Sequence, residues 1–226
     1  MPPRFDAVAF DLDGTLYPNR EFFVRLAPFA ARNARLLRAF GRARGIIRGE
    51  QELSPDVARH DFYDYQARLV ADILGRPADE TRARIETLMY RGWEPIFSRV
   101  RLFPRARALL DDIRGAGMRL GLLSDFPPVT KLANLGLAGI WDAVLCSEEV
   151  GALKPSALPF GALARELGVP AGRVLYVGNS RRYDVEGAAR AGMGTALVER
   201  GFLPSDGPSA DFAFRDYRQL RAFLLE

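Results

Sequence analysis

Apolar residues recur along this chain in two rhythms. Near the start, Ala7–Phe10 is a short unbroken apolar run that closes on Asp11, Leu12, Asp13, Gly14 and Thr15. A run of this length, ended by an acidic, glycine-containing turn, predicts a buried strand with polar groups at its carboxyl end. The rhythm then changes. Phe22, Phe23, Leu26, Phe29, Ala30, Asn33, Leu36, Leu37 and Phe40 recur at helical spacing, with Arg25, Arg32, Arg35, Arg38 and Arg42 between them, and Gly41 and Gly45 weaken the helix towards its end. Ser54-Pro55-Asp56 reads as a second helix start, with Ser as cap and Pro at the first position. That helix carries Phe62, Tyr65, Leu69, Val70 and Ile73 and stops near Gly75-Arg76-Pro77. A third covers residues 79–90, with a short continuation through Trp93. A stretch this long is not a bare loop, so residues 18–99 are expected to form an all-helical insert.

From Leu102 onward strands and helices alternate. A helix opened by Phe103-Pro104 runs through Leu109, Leu110 and Ile113 to Gly115; the strand 119–123 ends on Ser124-Asp125. A short helix to Leu135, the strand Ala143–Cys146, a helix over 156–167 and the strand 173–177 follow, the last ending in Gly178-Asn179-Ser180. The remainder reads as a helix over 183–191, a strand over 195–198, a Gly/Pro/Ser loop over 201–209, a short strand Phe212–Phe214 and a closing helix Tyr217–Leu225. Alternation of this kind predicts an α/β, Rossmann-like parallel sheet with helices on both faces. The sheet domain is expected to be built from residues 1–17 and 100–226, with the helical insert between them.

Composition narrows the setting. The chain has 226 residues, 48% hydrophobic and 27% charged, and a formal net charge of +4, which is ordinary globular composition with a mild bias towards anionic small molecules. The basic residues are too dispersed to argue for nucleic acid. No apolar stretch approaches the ~20 residues needed to span a bilayer, and none near the start resembles a secretory signal, so a cytoplasmic protein without stable membrane insertion is expected, monomeric or homodimeric. The single cysteine, Cys146, ends an apolar run and reads as a packed core thiol. The single histidine, His60, excludes a multi-histidine metal site.

Chemistry concentrates at predicted strand ends. Asp11 and Asp13, two residues apart, repel one another unless a cation or a shared proton lies between them, and ligands of open α/β sheets bind beyond the carboxyl ends of strands. Gly14 permits a tight turn. Ser124 puts a hydroxyl at a second strand end, Lys154 stands in a loop before a helix, and Asn179 with Asp184 follows a third strand. The first long helix has an arginine-rich face, read as solvated in preference to one turned towards an anionic ligand. Lys131, one of only two lysines, is expected on a helix surface.

The stretch 8–16, VAFDLDGTL, resembles the nucleophile motif of the haloacid dehalogenase-like superfamily. Leu122-Leu123-Ser124-Asp125, Gly151-Ala-Leu-Lys154-Pro155 and Val177-Gly178-Asn179-Ser180 with Asp184 resemble its second, third and fourth motifs, in the right order, and the insert resembles its helical cap domain. The resemblance implies a Mg²⁺-dependent phosphatase acting on a small phosphorylated metabolite. Asp11 would be the nucleophile and Asp13 the general acid and base, while Ser124 and Lys154 would hold phosphoryl oxygens. It further implies Mg²⁺ held by Asp11, Asp13, Asn179 and Asp184. Backbone groups of Leu12, Gly14 and Thr15 would join the phosphate cradle, Tyr17 would help to set specificity, and Asp125 would border the substrate with its carboxylate turned away from the phosphate. Two positions depart from the family pattern. Asn179 stands where Asp is common, which implies weaker Mg²⁺ binding, and Asp125 where Asn is frequent. A dehalogenase acting on 2-haloacids is the alternative chemistry, but the second aspartate, Asp13, favours phosphate; a phosphonate hydrolase would call for a lysine in the insert, which has none. A binding or regulatory protein with little turnover is the non-enzymatic alternative.

Overall fold

The computed structural model describes residues 4–199 and 207–226. Six parallel strands form one sheet: β1 Ala7–Phe10, β2 Arg119–Ser124, β3 Ala143–Cys146, β4 Val174–Gly178, β5 Gly194–Val198 and β6 Phe212–Phe214. Their order across the sheet is β3-β2-β1-β4-β5-β6. The chain thus winds outward in both directions from β1, and the crevice at the carboxyl ends of β1, β2 and β4 lies at the switch point where such sheets bind ligands.

Strand periodicity explains the two layers around the sheet. Val8 and Phe10 of β1, Leu120 and Leu122 of β2, and Leu175 and Val177 of β4 face one hydrophobic cluster. There they meet Ala106, Leu109, Leu110 and Ile113 of α6 (Ala106–Gly115) and Leu220 of α11 (Tyr217–Leu225). Ala7, Ala9, Leu123, Val174 and Tyr176 face the opposite cluster, against Phe160, Leu163 and Leu167 of α9 (Ala157–Leu167) and Ala188 of α10 (Glu186–Arg190). Successive residues point to opposite faces, so a fully apolar strand needs cover on both sides. Continued one step, the alternation places Asp11 on the α9 side and Leu12 in the α6 cluster.

Between β1 and α6 the described chain is helical: α1 Asn19–Arg32, α2 Ala34–Leu53, α3 Phe62–Leu74, α4 Ala78–Ile85 with a wider helical turn Glu86–Arg91 running on from it, and α5 Glu94–Phe97. Leu36, Ala39, Phe40, Ala43, Ala67, Val70, Ile85 and Met89 form a separate apolar cluster within these helices. Phe22, Leu26 and Phe97 pack instead with the sheet layer. The remaining helices are α7 Val129–Asn134 and α8 Ser147–Val150.

Two expectations about the helical insert need correction. The predicted first helix is two, broken at Asn33, whose side-chain amide and backbone N–H both turn back to the Phe29 carbonyl at 3.0 and 3.1 Å; local hydrogen bonding of this kind competes with helix continuation. Ser54-Pro55 ends α2 instead of starting a helix, and α3 begins only at Phe62. The intervening segment runs against the Gly151 turn, where the Arg59 N–H donates to the Gly151 carbonyl at 2.9 Å. Gly151 has φ +86°, and a Cβ there would lie 2.4 Å from the Arg59 carbonyl oxygen, so a tertiary contact overrides the capping signal. His60 lies exposed in this segment rather than in a helix. The five arginines read as a solvated face, Arg25, Arg32, Arg35, Arg38 and Arg42, are exposed, whereas further along α2 Arg44 is buried and Arg48 half-buried. The loop read at 201–209 falls mostly outside the described residues.

Candidate active site

The site is built at the ends of β1, β2 and β4, and its centre is the Asp11 carboxylate. Asp11 is only 6% exposed. Its Oδ1 accepts from Lys154 Nζ at 2.7 Å and its Oδ2 from the Thr15 hydroxyl at 2.7 Å. Burial pushes the Asp11 carboxyl up to about 7; Asp184 and Asp13 add to the rise, and Lys154 opposes it. Lys154, delivered from the loop before α9, also reaches Asp184 Oδ1 at 2.7 Å and the Tyr176 hydroxyl oxygen at 3.2 Å. Burial works against the Lys154 charge, but the Asp11 and Asp184 carboxylates outweigh it and hold the ammonium well above its ordinary range.

Asp184 has no exposed face. Its Oδ2 accepts the backbone N–H groups of Asn179 and Ser180, both at 3.0 Å. The carboxylate thereby fixes the turn after β4 on one side and Lys154 on the other. Ser124 is fully buried, and its Oγ accepts the Phe126 N–H at 3.2 Å. Thr15 spends its hydroxyl on the Asp11 carboxylate, and its carbonyl accepts from the Tyr217 hydroxyl of α11. Leu12 has its side chain in the core, so only its backbone can meet a ligand. Gly14 adopts φ +89°, and a Cβ there would lie 2.1 Å from Asn179 Nδ2 and 2.4 Å from Asn19 Nδ2. The missing side chain is what lets two amides close on the turn.

Asp13 stands apart from this network and makes a different one. Lys131 Nζ contacts both of its oxygens, at 3.0 and 2.8 Å, and the Tyr17 hydroxyl donates to Oδ1. Tyr17 is buried, and desolvation together with Asp13 keeps its phenol protonated well past its ordinary pKa. Lys131 is therefore no helix-surface residue. It is 7% exposed, lies 5.1 and 5.3 Å from the ring centres of Phe97 and Phe126, and points inward from α7. The sequence placed Lys131 one short turn after the Ser124 motif, and in a chain with two lysines that position was the available signal.

Asp125 turns to the helical insert. Its Oδ2 meets Arg44 at 3.2 Å and Arg48 at 2.8 Å, and its Oδ1 accepts the Lys154 backbone N–H at 3.1 Å. Burial would raise its pKa, yet Arg44, Lys154 and Arg48 together lower it. Arg48 also donates to the Lys154 carbonyl at 2.8 Å, so α2 braces the loop that carries the site's lysine. Arg44 pairs in addition with Glu148, which accepts from Tyr90 at 3.2 Å and Gln66 at 3.4 Å. Arg44, Arg48, Glu148 and Asn19 escaped the sequence reading: nothing in the arginine pattern of α2 separates the two that dock from Arg35, Arg38 and Arg42. Cys146 is buried, with burial pushing its thiol up to about 12, in keeping with a packed, unreactive side chain.

Among the described residues no three His, Cys, Asp or Glu side chains converge as a ready metal cage. Mg²⁺ does not require one, because it is commonly held by one or two carboxylates, with waters and phosphate oxygens completing its octahedron. The Asp11 carboxylate and the Asn179 amide, whose Nδ2 lies against the Gly14 turn, carry hard oxygens of the type it takes.

A model of the haloacid dehalogenase-like hydrolases matches residues 5–192. The chain belongs to this family of hydrolases. It is 30% identical over 226 residues to a glyceraldehyde 3-phosphate phosphatase of Methanopyrus kandleri, covering 93% of this chain and 91% of the relative. Among solved structures it resembles a phosphatase from Thermococcus onnurineus (TM-score 0.63, 23% identity, 97% and 98% of the two chains). It also resembles a 2-haloacid dehalogenase from Pseudomonas syringae (TM-score 0.65, 23% identity, 97% and 98%). The fold is thus common to phosphatases and dehalogenases, and the chemistry has to be argued from the side chains.

Proposed function

We propose that this hydrolase is a Mg²⁺-dependent phosphatase of a small phosphorylated metabolite. The observation that carries the reading is the pair Asp11 and Asp13 in separate environments. One is buried and oriented by Lys154 and Thr15; the other is at the rim, with a side chain 31% exposed. A nucleophile and an acid–base group need that division. Asp11 attacks phosphorus in line, the bond to the leaving oxygen breaks, and Asp13 supplies the proton that the leaving alcohol needs. Asp13 then takes a proton from water as the water attacks the aspartyl-phosphate, and phosphate leaves Asp11 free. Ser124 and Lys154 stabilise the phosphoryl oxygens, and Lys154 offsets the charge that gathers at the nucleophile.

Asp11 and the Asn179 carbonyl oxygen are the groups we assign to Mg²⁺, with Asp184 bordering the same place; Asp184 also holds Lys154 and the turn that carries Asn179. Bound there, Mg²⁺ would neutralise the phosphate dianion. Residues 18–99 would act as a cap that closes over the reacting atoms and excludes water. Relatives named as phosphatases, among them phosphoserine and phosphoglycolate phosphatases, support this reading. An aryl phosphate assay with Mg²⁺ tests it: the wild-type protein turns over, and Asp11→Asn loses at least about 10³-fold in kcat. Equal background from the two proteins would overturn the proposal, and halide release from a 2-haloacid without metal would replace it with the dehalogenase chemistry.

A further inference from the structure

Two buried lysines enter the site, and the reaction as outlined uses one. Lys131 reaches it from the opposite wall to Lys154, on the side of the rim aspartate. It holds a carboxylate in a two-point grip, with both oxygens of Asp13 within 3.0 Å of Nζ. Its surroundings are largely aromatic: Tyr90, Trp93, Phe97 and Phe126 line, with Lys131 and Glu94, a cavity of about 10 Å³. The Trp93 indole N–H is shielded from solvent and has no hydrogen-bond partner among the described residues. A cation and a spare donor thus share a small apolar recess beside the group that meets the leaving oxygen.

Resting on the phosphatase reading, we propose that Lys131 is a specificity-determining residue that binds a carboxylate carried by the leaving alcohol, a bond or two from the ester oxygen. The occupant already seen at Lys131 defines the chemistry. The ammonium pairs with a carboxylate in the ligand-free protein, so a substrate carboxylate can take over the same two contacts. The recess itself has room for little more than a water, so a substrate carboxylate would enter by taking the place that Asp13 holds at Lys131. Apolar walls strengthen the attraction by keeping water from the ammonium.

The test compares 2-phosphoglycolate with its neutral amide analogue, phosphoglycolamide, and with an aryl phosphate as reference. Wild-type protein should prefer the carboxylate over the amide in kcat/KM by about tenfold to a hundredfold, the worth of a hydrogen bond to a charged group. Lys131→Met should collapse that ratio towards one, and Lys131→Arg should retain part of it. Calorimetric binding of the same two compounds to Asp11→Asn, which does not turn over, should show the same preference and its loss on adding Lys131→Met. If Lys131→Met lowers turnover of both compounds by one factor and leaves the ratio unchanged, Lys131 only positions Asp13 and the proposal is overturned. If wild type hydrolyses the aryl phosphate but treats the matched pair alike, the proposal fails while the phosphatase reading stands. If it hydrolyses none of the three with Mg²⁺ present, both fall.

Discussion

On the phosphatase reading, single residues set how tightly the site takes Mg²⁺. Asn179 brings a neutral amide to a place where the carboxylate cluster around Asp11 already contains one lysine in direct contact. Each carboxylate withdrawn from a Mg²⁺ site lowers its affinity, because the ion is bound largely by charge. Asn179→Asp is therefore expected to lower the Mg²⁺ concentration for half-maximal activity by about an order of magnitude. The substitution is nearly isosteric, and the Asn179 backbone N–H still has Asp184 to hold it. A Mg²⁺ titration of the two proteins checks this, and an unchanged midpoint would remove Asn179 from the ligand set. Gly14→Ala is expected to be the harsher change, since its Cβ would collide with Asn179 and Asn19 at a backbone angle that alanine avoids. It should lose activity by about 10²-fold or more, measured with the same aryl phosphate.

At the scale of elements, α2 shows how much of the molecule could be read in advance. The strands were legible because a parallel sheet covered on both faces leaves unbroken apolar runs, and Ala7–Phe10, Ala143–Cys146 and Phe212–Phe214 fall where those runs stand. The motif residues were legible from where those runs end: Lys154 reaches Asp11 after β1 and the Leu123 carbonyl next to Ser124 in β2. The insert was not legible in the same detail. Helical spacing fixes a face but not what the face meets, so Arg44 and Arg48 looked like the solvated arginines beside them. Lys131 was misplaced because a six-residue helix gives too little periodicity to tell an inward side from an outward one. The difference is measurable on one helix. Above the pH at which Glu148 ionises, Arg44→Ala leaves it buried without its cation and removes one partner of Asp125, and should cost about 3–5 kcal/mol of stability at about pH 8. Arg42→Ala, two residues earlier and exposed, should stay within about 0.5 kcal/mol. Denaturant unfolding of the two variants separates a docked arginine from a solvated one.

For the whole molecule, the polar joint between the insert and the sheet domain should make global stability depend on pH. Glu148 is 1% exposed, and burial, which outweighs the pull of Arg44, pushes its carboxyl from 4.5 up to about 7. One oxygen, Oε2, finds no hydrogen-bond partner among the described residues, so the ionised form is left partly uncompensated. In the unfolded chain Glu148 ionises near its ordinary pKa, and in the native chain it keeps its proton up to about 7. Between those values the native state binds more protons than the unfolded one, and stability falls as pH rises. Below the unfolded pKa both states are protonated and the penalty vanishes; above about pH 7 it is present in full, at roughly 3 kcal/mol for a shift of this size. Glu148→Gln keeps the shape and removes the titration. The difference in unfolding free energy between variant and wild type should therefore move in favour of the variant by that amount from about pH 4 to about pH 8. Contributions from Asp11 and other carboxyls cancel in that difference, because both proteins carry them. A difference that stays flat across the window would mean that Arg44 keeps Glu148 charged throughout, and that the joint is an ordinary ion pair.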